Sequence, residues 1–428
     1  MNEQVLRADL TWTGQRFEAG VDVRLDAAGR IVEVGRLGLP STRELRGRAL
    51  LPGFVNAHSH AFQRGLRGRG ETFPAGAGSF WTWREAMYGL VAELDREAIY
   101  QLSFQAFREM LACGITTVGE FHYVHHQGPG QDFELDGPVV EAASEAGIRM
   151  VLLQVFYKTG GIGQPLQPGQ QRFATPSREA FWTQVDKLEG VLDPKTQSLG
   201  IVVHSLRAAE IDDLVALHRE AMERGLVFHI HMEEQRQEIE AAVEAYGQRP
   251  MQVLNEKLEI SPATTAVHCT HTDPGDMARY LEAGGNVCIC PLTEANLADG
   301  IADLPGILAN GTSEQLSLGS DSNARISMIE EMRWLEYVQR LARERRGVCR
   351  AADGEVGREL FHIATSGGAR ALGLPVGQIE VGHQADFFTL DLRSGALAGC
   401  DAASLLDAMI FGAPDRVVSE VMVGGRWL

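Results

Sequence analysis

Eight short apolar runs, separated by longer segments, constrain the fold of this 428-residue chain more than any other feature. Amphipathic-helix spacing is clearest in residues 97–113, 211–224, 235–245 and 329–345. Strands that alternate with helices predict βα units and a parallel sheet. The eight predicted strands are residues 51–57, 116–121, 149–156, 200–204, 226–231, 264–268, 286–290 and 316–319.

Eight βα units over about 320 residues are what a (β/α)8 barrel requires. The predicted fold class is therefore an α/β, TIM-like barrel. A doubly wound open sheet is the alternative, but no glycine-rich phosphate-binding fingerprint follows the first strand.

The two ends of the chain have a different pattern, with short β-rich runs joined by glycine turns. These runs are residues 5–11, 21–25 and 31–34 near the start, and 385–390 and 416–426 near the end. We expect residues 1–50 and 377–428 to form one small β-sandwich domain. Residues 51–376 are then the catalytic barrel.

Metal-binding side chains stand at the ends of several predicted strands. His58 and His60 close the first strand, and the period of two along a strand points both imidazoles the same way. His231 ends the fifth strand, His268 ends the sixth, and Asp321 follows the eighth. Reactive groups in a (β/α)8 barrel come from these carboxyl ends. The set is of the kind that holds zinc and leaves a position open for water.

The charge balance excludes some partners. With 39 basic and 57 acidic residues the net charge is −18, which argues against binding to nucleic acid or an anionic membrane. The sequence does not begin with a basic segment followed by an apolar one, as a secretory signal peptide would. No apolar run approaches the ~18 residues that span a bilayer. Six scattered cysteines without a CxxC pair suit a reducing compartment. We expect a soluble protein of the cytoplasm.

Four motifs contain the strand-end groups, in the order Pro52-Gly53-Phe54-Val55-Asn56-Ala57-His58-Ser59-His60, His231-Met232-Glu233-Glu234, His268 and Ser320-Asp321. This order resembles the mononuclear deaminase branch of the amidohydrolase superfamily, and the resemblance covers nearly the whole chain. It implies one Zn²⁺ per subunit. The binuclear branch bridges two metals with a lysine at the end of the fourth strand, whereas this strand ends in His204-Ser205-Leu206-Arg207.

The same resemblance implies a role for each strand-end group. His58, His60, His231 and Asp321 would be the metal ligands. Glu234 would be the proton shuttle, and His268 would hold the attacking water. Asp321 would share in catalysis by orienting that water.

Four further stretches, residues 60–64, 79–88, 204–208 and 293–297, are similar to those of the formimidoylglutamate deiminases of histidine degradation. The similarity implies a homodimer and a dicarboxylate substrate. The sequence departs from the pattern at residues 202–203 and at Asn323, where a histidine is expected, and the second departure bears on substrate preference. The implied contacts to the glutamate portion of the substrate are Gln63, Arg84, Tyr123, His204 and Arg207.

The implied substrate has two carboxylates and an amidine-like carbon. Arg84 and Arg207 can each bind a carboxylate through two parallel N–H bonds. Zinc lowers the pKa of a bound water towards about 7. Glu234 would accept the water proton and deliver it to the departing ammonia, so that the product is N-formyl-L-glutamate.

Two other functions stay open. The chain could deaminate another amidine or a nucleobase such as guanine or cytosine, although an aromatic heterocycle would not need two arginines. It could also be a catalytically silent barrel used for binding or assembly, which metal analysis would separate. A further histidine group, His122, His125 and His126, is expected to be polar lining or surface in a loop rather than a second metal cluster.

Overall fold

The computed structural model describes residues 3–73, 80–128 and 132–428. Its strands, in chain order, are β1 Gln4–Trp12, β2 Phe17–Glu18, β3 Asp22–Leu25, β4 Ile31–Gly35, β5 Arg43–Pro52, β6 Phe54–Ser59, β7 Ile115–His122, β8 Arg149–Phe156, β9 Gln197–Val203, β10 Phe228–Met232, β11 Thr264–His268, β12 Asn286–Ile289, β13 Leu316–Leu318, β14 Phe387–Asp391, β15 Val418–Val423 and β16 Arg426–Trp427.

The helices connect the strands and cover the outside of the barrel. They are α1 Phe80–Glu93, α2 Arg96–Ala112, α3 Asp136–Ala146, α4 Arg178–Glu189, α5 Ile211–Glu223, α6 Arg236–Tyr246, α7 Pro250–Lys257, α8 Pro274–Glu282, α9 Pro291–Leu297, α10 Leu304–Asn310, α11 Met328–Arg343, α12 Val356–His362, α13 Gly368–Ala371 and α14 Leu405–Gly412.

The eight strands β6 to β13 form the predicted parallel barrel. Each pairs with its sequence neighbour, and a parallel bridge between Ser59 and Asp321 joins the last strand region to the first. Every residue of β7 and β8 is buried, as in parallel strands that are covered on both faces. The prediction of an α/β barrel is confirmed, and all eight predicted strands overlap observed ones.

A second sheet combines the two ends of the chain. Its strand order is β16-β15-β14-β5-β1-β3-β4, with β2 paired to β1, so the terminal strands form one continuous hydrogen-bonded sheet. The N-terminal β5 pairs directly with the C-terminal β14, with Leu50 opposite Thr389. A buried ion pair joins this sheet to the barrel, with Arg149 Nε 2.6 Å from Asp386 Oδ2.

Helix α14 lies with the barrel helices although the terminal strands surround it in sequence. It packs against α11 and α12. Arg333 on α11 donates to the carbonyl oxygens of Ile410 at 2.8 Å and Ala413 at 2.7 Å. The C-terminal segment therefore contributes both to the second sheet and to the outer layer of the barrel.

The turn from β5 into β6 fixes how the second sheet meets the barrel. A Cβ atom on Gly53 would lie 1.9 Å from Thr116 Oγ1, so this close approach requires glycine. Within the described residues, no helix combines the length and the apolar character needed to cross a bilayer.

Candidate active site

The predicted metal-binding groups lie together at the carboxyl ends of the barrel strands. His58 is the penultimate residue of β6, and His60 follows that strand. His231 lies in β10, His268 ends β11, and Asp321 follows β13. Because parallel strands all point the same way, these groups meet on one face of the barrel.

Asp321 lies at the centre of the cluster. Its Oδ1 atom is 3.3 Å from His58 Nε2 and 3.2 Å from His60 Nε2. His231 Nε2 is 3.1 Å from His58 Nε2. The nearest nitrogen and oxygen atoms of His58, His231, His268 and Asp321 all lie within 4.8 Å of one another. Imidazole nitrogens and a carboxylate oxygen thus converge on one small volume.

The chemistry of this cluster fits a divalent cation. Burial lowers the pKa of His58 to about 3 and holds the pKa of His231 well below 6.5, so both rings are neutral, as metal ligands must be. Their Nε2 atoms face each other, and their Nδ1 atoms have no hydrogen-bond partner among the described residues. A cation at the convergence point would bind the lone pairs of the two facing Nε2 atoms.

The Asp321 carboxylate supplies the negative charge of the cluster. Burial alone would raise the pKa of Asp321, but hydrogen bonds from His58 and His60 more than offset it and keep this pKa well below the usual range. The donor set of neutral imidazoles and one ionised carboxylate is typical of zinc.

The backbone at the site adopts conformations that residues other than glycine rarely take. The φ angles of His268, Asp321 and Asn323 are +74°, +46° and +53°. Such strained backbone conformations persist only where the surrounding contacts hold them in place, and they cluster at functional sites.

Asn323 connects the loop of Asp321 to the strand end of His60. Its Oδ1 accepts a hydrogen bond from Ser320 Oγ at 2.6 Å, and its Nδ2 donates to Ser59 Oγ and to the carbonyl oxygen of His60, both at 3.0 Å. Asn323 is fully buried. This departure from the deiminase pattern therefore acts on the placement of the metal-binding groups.

Glu234 and His268, for which proton-transfer and water-holding roles are predicted, lie next to Asp321. His268 Nε2 is 3.9 Å from both Glu234 Oε1 and Asp321 Oδ2. Burial raises the pKa of Glu234. Burial would lower the pKa of His268, but the carboxylates of Glu234 and Glu294 raise it well above 6.5. A carboxyl group whose pKa is shifted towards neutrality is suited to accepting and returning a proton.

Glu294 is a site residue that sequence reasoning left without a role. Its Oε1 atom is 3.3 Å from His268 Nδ1 and accepts a hydrogen bond from the backbone N–H of Cys290 at 2.9 Å. This contact fixes the ring of His268 and directs its Nε2 towards Glu234. The signal was present, because Glu294 lies in one of the stretches shared with the deiminases.

One cavity, open to solvent, is lined by both the predicted metal-binding groups and the predicted substrate contacts. Ten of the eleven predicted site residues line it, and the eleventh, His58, is fully buried. The ten lining residues are His60, Gln63, Arg84, Tyr123, His204, Arg207, His231, Glu234, His268 and Asp321.

Several polar side chains of the cavity contact one another. Gln63 Nε2 donates to the hydroxyl of Tyr123 at 2.9 Å. The Arg84 guanidinium lies 5.2 Å from the ring centre of Tyr88, within cation–π range. Arg207 Nη2 is 3.8 Å from Glu234 Oε2, which is an ion pair but too long for a hydrogen bond.

Sequence reasoning missed the aromatic part of the wall. Tyr88, Tyr157 and Phe173 line the cavity beside Trp83. Tyr88 belongs to the stretch of residues 79–88 that resembles the deiminases, and its spacing from Arg84 could have indicated it. Tyr157 and Phe173 follow β8 without a polar motif, so nothing in the sequence separates them from core residues.

The other histidine group is expected to be polar lining or surface, and the second of these alternatives is wrong. His122, His125 and His126 are all buried, with exposed fractions of 1%, 0% and 0%. His122 Nε2 and His125 Nδ1 lie 3.1 and 2.9 Å from the same oxygen of Asp136. The reason is that β7 extends to His122 and α3 brings Asp136 underneath the following loop.

The sequence and the fold both match known proteins. The model of the amidohydrolase family matches residues 49–428. The formimidoylglutamate deiminase of Pseudomonas aeruginosa is 40% identical over 419 residues, which cover 96% of this chain and 90% of that protein. A solved amidohydrolase from Brucella melitensis is 31% identical with a TM-score of 0.87, over 99% of this chain and 94% of that one.

A more distant solved structure shares the fold. An adenosine deaminase from Xanthomonas campestris with bound zinc is 22% identical with a TM-score of 0.81, over 99% of this chain and 92% of that one. Since the family model covers the barrel and the C-terminal strands of the second sheet, this chain belongs to the amidohydrolase family.

Proposed function

We propose that this chain hydrolyses N-formimidoyl-L-glutamate to N-formyl-L-glutamate and ammonia with one zinc ion per subunit. Membership of the amidohydrolase family makes it a hydrolase of carbon–nitrogen bonds. The 40% identity to a formimidoylglutamate deiminase supports the finer assignment.

The observation that carries the proposal is the presence of Arg84 and Arg207 in the same cavity as the metal-binding groups. A substrate with two carboxylates and a reactive amidine carbon requires this combination of binding groups. Each guanidinium can bind a carboxylate through paired hydrogen bonds. Gln63 and Tyr123, which are hydrogen-bonded to each other, add polar contacts to the cavity that contains the two arginines and the metal-binding groups.

His58, His60, His231 and Asp321 would hold the zinc ion. When bound, zinc lowers the pKa of a water molecule and polarises the amidine nitrogen or carbon. The burial of the four groups excludes bulk water from around the ion and strengthens these electrostatic effects.

Glu234 moves the proton. It accepts a proton from the attacking water as the new C–O bond forms and delivers it to the amidine nitrogen, and it then carries the second water proton from the new hydroxyl group to the same nitrogen as the C–N bond breaks. Ammonia leaves and the formyl oxygen comes from water, so the atoms balance. His268, held by Glu294, directs Nε2 at the same region and stabilises the attacking oxygen by hydrogen bonding.

Ammonia release by the zinc-loaded protein tests the proposal. N-formimidoyl-L-glutamate is compared with N-formimidoyl-L-aspartate, guanine and cytosine at equal concentrations. We expect selective turnover of the glutamate compound. Preferred turnover of a nucleobase would contradict the roles of Arg84 and Arg207, and stoichiometric zinc with no turnover of any of the four compounds would contradict the proposed reaction.

A further inference from the structure

Glu238 is a buried carboxylate for which the proposed reaction has no use. It lies on α6, one turn after Glu234, and is 2% exposed. Neither of its oxygens has a hydrogen-bond partner of good geometry among the described residues, although the backbone N–H of Glu234 lies close enough to lower the pKa of Glu238. A buried carboxylate without donors is unfavourable unless a charged partner or a proton compensates it.

The partner is Arg207. Its Nε atom lies 3.8 Å from Glu238 Oε1 and has no hydrogen-bond partner of its own in the described chain. Its Nη2 atom lies 3.8 Å from Glu234 Oε2. One guanidinium is therefore shared by two carboxylates, Glu234 in the loop before α6 and Glu238 in the first turn of α6.

Other charged groups face Glu238 from the same region. Glu233, which precedes α6, raises the local negative charge, and its Oε2 is 3.5 Å from Arg249 Nη2. The carboxylates of Glu233, Glu234 and Glu238 thus outnumber the cations Arg207 and Arg249. A further anion at Arg207 would add to this excess.

A substrate carboxylate would reach Arg207 from the other side. Among the described residues, Arg207 and Glu234 line the cavity whereas Glu238 does not. We propose that Glu238 is the internal counterion of Arg207 and takes up a proton from solvent when a dicarboxylate ligand binds to that arginine. This inference rests on the proposed function, because it requires Arg207 to bind a substrate carboxylate. It makes Glu238 a positioning residue that exchanges its own charge for that of the ligand.

The protonation of Glu238 is sensitive to its surroundings. Burial raises the pKa of Glu238 to about 7, while the positive charge of Arg207 lowers it and Glu234 and Glu233 raise it. A ligand carboxylate that binds Arg207 weakens the largest interaction that keeps Glu238 ionised. Proton uptake on ligand binding is then expected at the pH values of ordinary assays, near pH 7.

Calorimetric binding of N-formyl-L-glutamate to the zinc-loaded protein measures this uptake. Titrations in buffers of different ionisation enthalpy count the protons bound per ligand. Both carboxylates of this ligand are ionised above about pH 6, so any uptake belongs to the protein. We expect up to about half a proton at pH 7, since a group with a pKa of about 7 is half protonated before binding, and a larger fraction at pH 8.

Three variants locate the proton. Glu238→Gln should abolish most of the uptake and bind the ligand at pH 8 at least as tightly as the wild type, because a neutral amide does not repel it. Glu234→Gln should keep the uptake. Glu240→Gln, an exposed position on the same helix, is the matched control and should behave as the wild type.

Each result decides the proposal. Ligand binding without proton uptake, or equal uptake in Glu238→Gln and the wild type, overturns the role of Glu238 and leaves the proposed function intact. Failure of the wild type to bind N-formyl-L-glutamate counts against the proposed function and removes the basis of this inference. If Glu238→Gln does not fold, uptake in the wild type that persists in Glu234→Gln supports the proposal, and its loss there contradicts it.

Discussion

Two buried clusters of histidine and aspartate lie near the second strand of the barrel, and they differ in one respect. In the cluster around Asp321, imidazole nitrogens face one another, and two Nδ1 atoms have no partner in the described structure. In the cluster around Asp136, both carboxylate oxygens accept hydrogen bonds, from His122 and His125 on one oxygen and from Gln154 and Gln184 on the other.

The difference shows that a cluster of histidine and aspartate residues does not by itself identify a metal site. His125 Nδ1 faces Asp136 at 2.9 Å and its Nε2 faces the carbonyl oxygen of Val155 at 2.8 Å, so each ring nitrogen has an oxygen partner within the protein. The Asp136 cluster is therefore satisfied by hydrogen bonds within the protein and does not need a cation. The Asp321 cluster is incomplete without one, and it opens into the cavity.

The largest expected effect separates the two clusters by metal content. Asp321→Asn should lose zinc and reduce turnover to the level of a protein-free blank, because the only carboxylate in that ligand set becomes neutral. Asp136→Asn should retain zinc. Metal analysis after dialysis, together with the ammonia assay, checks both, and zinc loss from Asp136→Asn alone would reverse the assignment.

Removal of the predicted proton shuttle, Glu234, should abolish most of the turnover while the Asp321 cluster still binds zinc. Glu234→Gln keeps the size of the side chain but cannot accept a proton, so we expect turnover to fall by about 10²–10⁴-fold with zinc retained. The matched control is Glu240→Gln on the neighbouring helix. Near-normal activity in Glu234→Gln would exclude this residue from proton transfer.

Stability should respond most to the Asp136 cluster. Asp136→Asn removes the buried negative charge that faces His122 and His125 and accepts hydrogen bonds from Gln154 and Gln184, and one hydrogen bond to a charged group is worth about 1.5–3 kcal/mol in the free energy of unfolding. Thermal unfolding of the zinc-loaded protein measures the loss. Asp132→Asn, on the more exposed side of the same loop, is the control and should change the midpoint little. Equal unfolding midpoints for the wild type, Asp136→Asn and Asp132→Asn would show that the Asp136 carboxylate contributes nothing to stability.

Changes to substrate binding should leave both clusters intact. Arg207→Lys loses the paired hydrogen bonds to a carboxylate, and one charge-assisted bond is worth about 1.5–3 kcal/mol. We expect KM for N-formimidoyl-L-glutamate to rise by about 10–100-fold with normal zinc content. Steady-state kinetics at pH 7 check this, and an unchanged KM would place the substrate carboxylate elsewhere.

The smallest effect concerns acid stability. Burial would raise the pKa of Asp136, but the charge of His125 and the bonds from His122 and His125 more than offset it and place this pKa well below its ordinary value. A lowered pKa stabilises the fold above the unfolded value of about 3.9, and this contribution is lost as the pH falls further. The difference in stability between the wild type and Asp136→Asn should be constant from pH 7 to about pH 5 and shrink below pH 4. A difference that grows as the pH falls would contradict the assigned charges.

Most of the barrel and much of the site could be predicted because both depend on local patterns. Strand ends in a parallel barrel share one face, so His58, His231, His268 and Asp321 could be grouped from their positions after apolar runs. Glu294 and Glu238 lie on helices, and the sequence alone does not distinguish a buried carboxylate on a helix from a solvent-exposed one. Only their contacts with His268 and Arg207 distinguish them.

The order of strands and helices, the residue types at the strand ends and the two arginines were determined by the sequence, because hydrophobic periodicity and side-chain chemistry are local properties. The tertiary structure decided which buried histidines are satisfied and which carboxylates share a cation. Those properties depend on hydrogen bonds and charges between residues far apart in the chain, such as Asn323 with Ser59 and Arg207 with Glu238. Burial then sets the protonation of each group, since the cost of a charge depends on everything that surrounds it.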